Sequence, residues 1–346
     1  MPTKPANPFI RALKRTLRTA VENATPHGES GVHVDPLTTA PGELPPLTNS
    51  ALRATPEMRM FSRILQLDGR SVRDSVLDDL ATYHGISVEE ARRRALHWEE
   101  ASVDEWEAVD GSASDDARVN FYRTQQSWSF DLLWWAYLQS AGYADPASVL
   151  AYRWLLQYSP GRRHLDFGSG VGITSQLFEE GGWTTTSADL SSTLLDFAQF
   201  RLERRGHKVE HIDLAESSLP AGAYDAITAI DTLAHVPDVH ATARQLHAAL
   251  RREGYLIANF DIREPSRETV WHLYDDDLRV RYEVQRAGFV PVADVGYGLV
   301  AYRKTADGPT RTLLRTIYYW FVLVSPPRRA LRAAARPFLR MLARLR

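Results

Sequence analysis

Residues 164–172 run His-Leu-Asp-Phe-Gly-Ser-Gly-Val-Gly, an apolar strand that ends on an acid and enters glycines at alternate positions. A strand-to-helix bend without Cβ atoms lets a ligand lie against bare backbone. The helix that follows turns unpaired N–H groups toward an anionic group. Asp166, two residues before Gly168, adds a carboxylate suited to an ammonium group. A ligand with both charges is an amino acid, and one nucleotide cofactor has an amino-acid end: S-adenosylmethionine. The NAD alternative fails on spacing. A dinucleotide fingerprint has glycine at its first, third and sixth positions. Counting from Gly168, the third is Gly170 but the sixth is the β-branched Ile173.

Other acids fall where the same cofactor needs them. Thr184 to Ala188 is short and β-prone and ends at Asp189, followed by Leu190; an acid this far past the glycines accepts both hydroxyls of a ribose. Tyr224 to Ile230 reads as a fourth strand ending at Asp231. Asp166, Asp189, Asp213 and Asp231 thus all stand at predicted carboxyl ends of successive strands, the edge at which open α/β sheets bind ligands. Taken singly, each acid is equally at home in a turn or a helix N-cap.

The pattern D-x-G-x-G-x-G resembles motif I of the class I S-adenosylmethionine-dependent methyltransferases, and the resemblance covers about residues 146–305, under half of the chain. It implies a Rossmann-like α/β sheet of seven strands, mostly parallel with one antiparallel. It also implies cofactor contacts at Asp166, Gly168, Ser169, Gly170, Asp189, Leu190 and Asp231. Asp213 and Leu214 stand where members of the family hold adenine, by a carboxylate and a backbone N–H. Leu250 to Phe260, with Gly254 at its turn, resembles the family's approach to its fifth strand. Phe289 to Val295 and Gly298 to Arg303 resemble the hairpin that supplies the antiparallel strand.

Methyl transfer from a sulfonium is an in-line displacement in which alignment carries most of the acceleration. A general base is needed only where the attacking group is protonated, and near neutral pH histidine suits that task. His235, in Leu-Ala-His-Val-Pro-Asp after the fourth strand, and His272, in Val-Trp-His-Leu-Tyr after the fifth, are the candidates. Each has a purely structural alternative. Asp231, Asn259 and Asp261 lie near the ends of adjacent strands and would suit a metal-assisted mechanism. A turn or cofactor role fits those residues better, so no metal is expected.

The elements that position these groups read as follows. Residues 1–58 carry nine prolines and form a poorly ordered lead containing a basic amphipathic helix, Phe9 to Val21. Residues 59–145 form a helical cap. Within it Val72, Val76, Leu77 and Leu80 follow a 3.6 period, Gly85 stops that helix, and Ser87-x-x-Glu90 is a capping box. The aromatic run Phe121 to Tyr137 reads either as a helix buried against the sheet through Trp134 and Trp135, or as a lid in which Tyr122 meets the sulfonium. Residues 146–305 are the cofactor-binding core. Residues 306–346 form a basic amphipathic tail, with Arg328, Arg332, Arg336, Arg340 and Arg344 recurring every four residues and Pro337 as a kink.

Composition bounds the rest. The absence of cysteine excludes disulfides, thiolate metal sites and a cysteine nucleophile. Nine Trp and fourteen Tyr suit a closed pocket for an organic substrate. The net charge of −2 hides an asymmetry, because residues 308–346 hold nine Arg and no acid, which leaves −11 on the remainder (−2 minus 9). An acidic body argues against a nucleic-acid substrate, as does Asp231-Thr232-Leu233-Ala234 in place of an Asn-Pro-Pro-Tyr-like motif. No apolar run approaches the length of a bilayer span, so a cytoplasmic protein is expected, with peripheral membrane contact through the tail and homodimerisation both left open.

These readings favour a methyltransferase acting on an O, N or C atom of a small organic molecule, a natural product or lipid-linked intermediate. The alternatives are an enzyme that cyclises the cofactor's amino-acid chain and releases methylthioadenosine, and a non-catalytic binding module.

Overall fold

A computed structural model of the chain describes residues 50–260, 262, 269–274, 277–305 and 317. The chain divides into two units. Asp35–Ala306 is compact and holds every element below, whereas Met1–Val34 with Asp307–Arg346 lies outside the described residues except for Ile317. The expected N-terminal lead helix and the basic tail therefore lie outside the described residues.

Seven strands form one sheet: β1 Arg163–Phe167, β2 Thr184–Asp189, β3 Glu210–Asp213, β4 Tyr224–Ala229, β5 Leu250–Ala258, β6 Phe289–Gly296 and β7 Leu299–Lys304. Their order is β3-β2-β1-β4-β5-β7-β6. The first five are parallel, and β7 enters antiparallel between β5 and β6. This is the Rossmann-like class I arrangement, with the expected hairpin as its last two strands. All six residues of β4 are buried, as both faces of a helix-covered parallel strand must be. The edge strand β6 is irregular, with Pro291 in the strand and register shifts at Pro291/Ala293 and Asp294/Gly296.

A single helical turn, Ser50–Arg53, precedes the cap helices α1 Pro56–Leu65, α2 Val72–His84, α3 Val88–Leu96, α4 Trp98–Ala108, α5 Asp115–Thr124 and α6 Ser127–Ala141. The core helices are α7 Ala147–Tyr158, α8 Ile173–Glu180, α9 Ser192–Glu203, α10 Val239–Ala249 and α11 Asp277–Arg286. Their starts are written in the sequence. Ser71 accepts the Asp74 N–H at 3.1 Å, Ser87 the Glu90 N–H at 3.1 Å, and Asp238 the Ala241 N–H at 2.9 Å. Gly85 closes α2 in the left-handed region at φ +64°.

Cap and sheet share one core. Phe61, Leu65, Leu80, Phe130 and Leu133 of the cap pack with Val149, Leu177, Phe178, Phe197, Ala226 and Ile257 of the sheet and its helices. A second cluster joins Val103, Trp106 and Phe121 of the cap to Trp271, which follows β5. At about 1.5–3 kcal/mol for each large apolar side chain fully removed from water, this shared burial makes the cap part of the fold.

Two expectations for the aromatic run need correction. It is not one helix: Gln125 and Gln126 separate α5 from α6. Trp134 and Trp135 are not buried together, since Trp134 is 6% exposed and Trp135 45%. Consecutive helical residues point about 100° apart, so one face takes only one of them.

Candidate active site

The strand order reverses between β1 and β4, and the glycine bend leaves the carboxyl end of β1 there. Gly168, Gly170 and Gly172 adopt φ +70°, +51° and +75°, a region in which a side chain is strained. A Cβ would also meet neighbours. At Gly168 it would stand 2.2 Å from Thr232 Cγ2, at Gly170 2.7 Å from Leu132 Cδ1, and at Gly172 3.1 Å from Ala198 Cβ. At Gly168 the Thr232 side chain leaves no room, whereas at Gly170 the end of a flexible Leu and at Gly172 the Ala198 methyl would have to give.

Asp166 differs from expectation. It is 3% exposed, and its Oδ2 accepts the Ser175 N–H at 3.0 Å and the Ser175 hydroxyl at 2.8 Å. Its Oδ1 accepts the Thr228 hydroxyl at 2.9 Å. Burial, only partly offset by these bonds, pushes its carboxyl up to about 6. Asp166 joins β1, β4 and the first turn of α8, with three protein donors on its carboxylate.

Asp189 sits at the end of β2 beside the bend. Its Oδ2 accepts the Gly170 N–H at 2.7 Å and its Oδ1 the Ser191 N–H at 2.9 Å. Burial pushes it up against these bonds. The Leu190 N–H adds a third contact. A carboxylate with about four acceptor sites then keeps one for a ligand hydroxyl. Leu190 is half-buried between Asp189 and the Ser191 cap of α9. Asp213 pairs with Asp189 across β2 and β3, and its Oδ1 takes the Ala215 N–H at 2.8 Å. The Leu214 N–H expected for adenine donates instead to the Asp189 carbonyl at 2.9 Å, because the parallel ladder continues one residue past β3. Asp231 is exposed at φ +52°; its N–H donates to Asn259 Oδ1 at 2.7 Å and its Oδ1 accepts from Asn259 Nδ2. Asp261, the third member of the metal reading, lies outside the described residues, among which no cluster of three or more His, Asp or Glu is placed to hold a metal.

The N–H groups of Gly168 and Ser169 both reach the Ala188 carbonyl, at 2.8 and 3.2 Å, and that of Gly172 the Ser169 carbonyl at 2.9 Å. Ser169 Oγ is buried with no hydrogen-bond partner among the described residues. An unsatisfied hydroxyl of this kind costs stability unless a ligand pairs with it. Together with the acceptor site left on Asp189, it makes the bend fit an amino-acid nucleoside: Ser169 for the polar amino-acid end, Asp189 for a sugar hydroxyl.

Tyr122, His235 and His272, far apart in the chain, come together next to the bend. The Tyr122 hydroxyl donates to the Trp271 carbonyl at 2.9 Å, and His235 Nδ1 lies 3.2 Å from the same oxygen. Ring centroids of His235 stand 4.6 Å from His272, 5.8 Å from Trp128 and 6.2 Å from Tyr122. The segment after β5 is fastened over the Leu233–His235 turn by the Leu273 N–H to the Ala234 carbonyl at 3.1 Å and the Tyr274 hydroxyl to the Val236 carbonyl at 2.8 Å. Burial pushes the Tyr122 hydroxyl up, so it stays protonated as a latch. Because a carbonyl only accepts, the His235 bond puts the proton on Nδ1 and makes Nε2 the basic nitrogen of the neutral ring.

Two short links tie this cluster to the bend. Thr232, pressed on Gly168, accepts the His235 N–H at 3.0 Å through its carbonyl. Leu132, pressed on Gly170, lies one turn along α6 from Trp128. Leu132 and Thr232 were not legible as packing partners, for nothing local marks a contact made across the fold.

Residues 134–290 match the family described as "Methyltransferase domain". The match begins within α6, twelve residues before the core boundary expected at 146. The ubiquinone biosynthesis O-methyltransferase of Bordetella avium is 33% identical over 108 residues, 30% of this chain and 45% of that protein. The enzyme of that name from Aromatoleum aromaticum is 35% identical over 97 residues, 27% of this chain and 42% of that protein. The chain thus spans less than half the length of these curated relatives. Among solved structures, an S-adenosylmethionine-dependent methyltransferase from Mesorhizobium loti aligns with a TM-score of 0.37 at 20% identity, covering 46% of this chain and 99% of that one. The Burkholderia thailandensis 1,6-didemethyltoxoflavin-N1-methyltransferase aligns with a TM-score of 0.36 at 23% identity, covering 46% and 77%. With the strand order and the glycine bend, the family match identifies residues 134–290 as a class I S-adenosylmethionine-dependent methyltransferase domain.

Proposed function

We propose that the whole protein is an S-adenosylmethionine-dependent methyltransferase that methylates an O, N or C atom of a small organic molecule, a natural product or lipid-linked intermediate. One observation carries the reading: Thr232 and Leu132 hold the glycine bend directly against the Tyr122, Trp128, His235 and His272 cluster. A cofactor held on the bend would lie beside that cluster. When bound, S-adenosylmethionine supplies an electrophilic methyl on a sulfonium.

The chain's own residues do the remainder. Asp189 would hold a ribose hydroxyl, and Ser169 would meet the amino-acid end. Trp128 and Tyr122 wall the acceptor, exclude water and present aromatic faces to the sulfonium charge. His235 Nε2 would take the proton of a hydroxyl acceptor as general base, a contribution of roughly 10²–10⁴ in rate.

The test is to incubate purified full-length protein with methyl-labelled cofactor, alone and with candidate acceptors, and to identify the nucleoside product by mass spectrometry. Acceptor-dependent S-adenosylhomocysteine supports the proposal. Methylthioadenosine formed without acceptor points to cofactor cyclisation instead, and absence of cofactor binding by calorimetry leaves a binding module. For location we propose the cytoplasm, with the basic tail 306–346 as a contact for anionic lipid; equal flotation with liposomes after removal of 308–346 would end that idea.

A further inference from the structure

A buried charge cluster joins the cap to the glycine bend. Asp79 of α2 and Arg201 of α9 are both fully buried, with Arg201 Nε 3.5 Å from Asp79 Oδ2. Arg201 Nη1 donates to the Val171 carbonyl at 2.6 Å and Nη2 to Gln176 Oε1 at 3.4 Å. Val171 is the residue between Gly170 and Gly172, so Arg201 grips the middle of the bend from behind.

The other side of the cluster is the cap. Arg204 spans Asp79 at 2.6 Å and Asp78 at 2.7 Å. Arg205 Nη2 lies 2.8 Å from Asp79 Oδ2 and donates to the Leu65 carbonyl at 2.9 Å. Gln176 Nε2 donates to the Ile64 carbonyl at 2.8 Å. Carbonyls at the end of α1, carboxylates of α2 and the cofactor bend therefore converge on one guanidinium and its neighbours. Burying these charges is costly, and an apolar plug of the same volume would stabilise the fold at least as well. What an apolar plug lacks is a donor aimed at Val171.

We propose that Arg201 is a positioning residue for the cofactor bend, holding the Val171 carbonyl so that the bend keeps its ligand-ready shape while Asp79 keeps the cap docked. The inference rests on the methyltransferase reading above. Cofactor affinity and cap docking are then linked, and by reciprocity the cofactor tightens the cap. Nothing in this role touches the reacting atoms.

Affinity for S-adenosylhomocysteine, measured by calorimetry on the full chain, tests it with two variants. Arg201→Lys keeps the positive charge but loses the fork that reaches Val171, Gln176 and Asp79 together; binding weakens roughly tenfold, the loss of one charge-assisted bond. Arg204→Gln cuts a partly exposed arm that does not touch the bend and leaves Arg201 and Arg205 on Asp79, so the cap stays docked; it lowers Tm but keeps affinity within about twofold. On the unaltered protein, hydrogen exchange reads the linkage directly: S-adenosylhomocysteine slows exchange of α2 amides around Asp79 as well as those of the bend, which serves even if Arg201→Lys fails to fold. Unchanged affinity in Arg201→Lys, an equal loss in Arg204→Gln, or protection confined to the sheet edge overturns the inference alone. An unaltered protein that does not bind S-adenosylhomocysteine overturns the methyltransferase reading, and the inference with it.

Discussion

Asp166 shows how a residue is found by its type and then serves another purpose. The carboxylate at the end of β1 was legible in the sequence, but its partners were not, because Ser175 and Thr228 reach it only through the folded sheet. The consequence is a pH dependence. The carboxyl is raised from 3.8 to about 6 on folding, so between those values the folded chain keeps a proton that the unfolded chain has released. Its contribution to stability is whole below the unfolded value and is lost as pH rises through the folded one, a change of about 3 kcal/mol in total. Asp166→Asn removes the titration. Urea unfolding should therefore show the stability of the unaltered protein falling relative to Asp166→Asn between pH 4 and 7; a constant difference would refute this account. Asp189, by contrast, holds the bend itself, with the Gly170 and Ser191 N–H groups on its carboxylate.

At the level of elements, start and stop signals were the most readable feature. Gly85 and Ser87 cap helices where the sequence placed them, because a cap is a local arrangement of one residue and the neighbouring backbone groups. The aromatic run was less readable. Periodicity does not reveal a break at Gln125–Gln126 when both flanking segments are apolar, nor which of two adjacent tryptophans faces inward. The structure settles the choice, and mutagenesis checks it. Trp134→Ala should cost about 3–5 kcal/mol of unfolding free energy. Trp135→Ala should stay within about 0.5 kcal/mol. Comparable losses for the two in urea denaturation would show that α6 is rotated from the orientation described.

For the molecule as a whole, the alternation of strands and helices made the sheet predictable, and the order of its strands follows from right-handed crossovers and a closing hairpin. How the cap joins the sheet was not predictable, since that depends on Phe61, Leu80 and Leu133 meeting Phe178 and Phe197 from other elements. A shared core means shared cooperativity. Calorimetric unfolding should give one transition for cap and sheet, and S-adenosylhomocysteine at a hundred times its Kd should raise its Tm by roughly 5–10 °C, from about 2.7 kcal/mol of added stability. A separate, ligand-insensitive transition would mean that the cap folds by itself.

The broken outline of β6 bears on how copies of this protein could associate. Proline within an outermost strand removes a donor, and displaced register kinks the row of carbonyls and amides that a neighbour would need. At the opposite margin β3 is only four residues long. Neither flank, among the described residues, therefore suits backbone-to-backbone extension into another molecule.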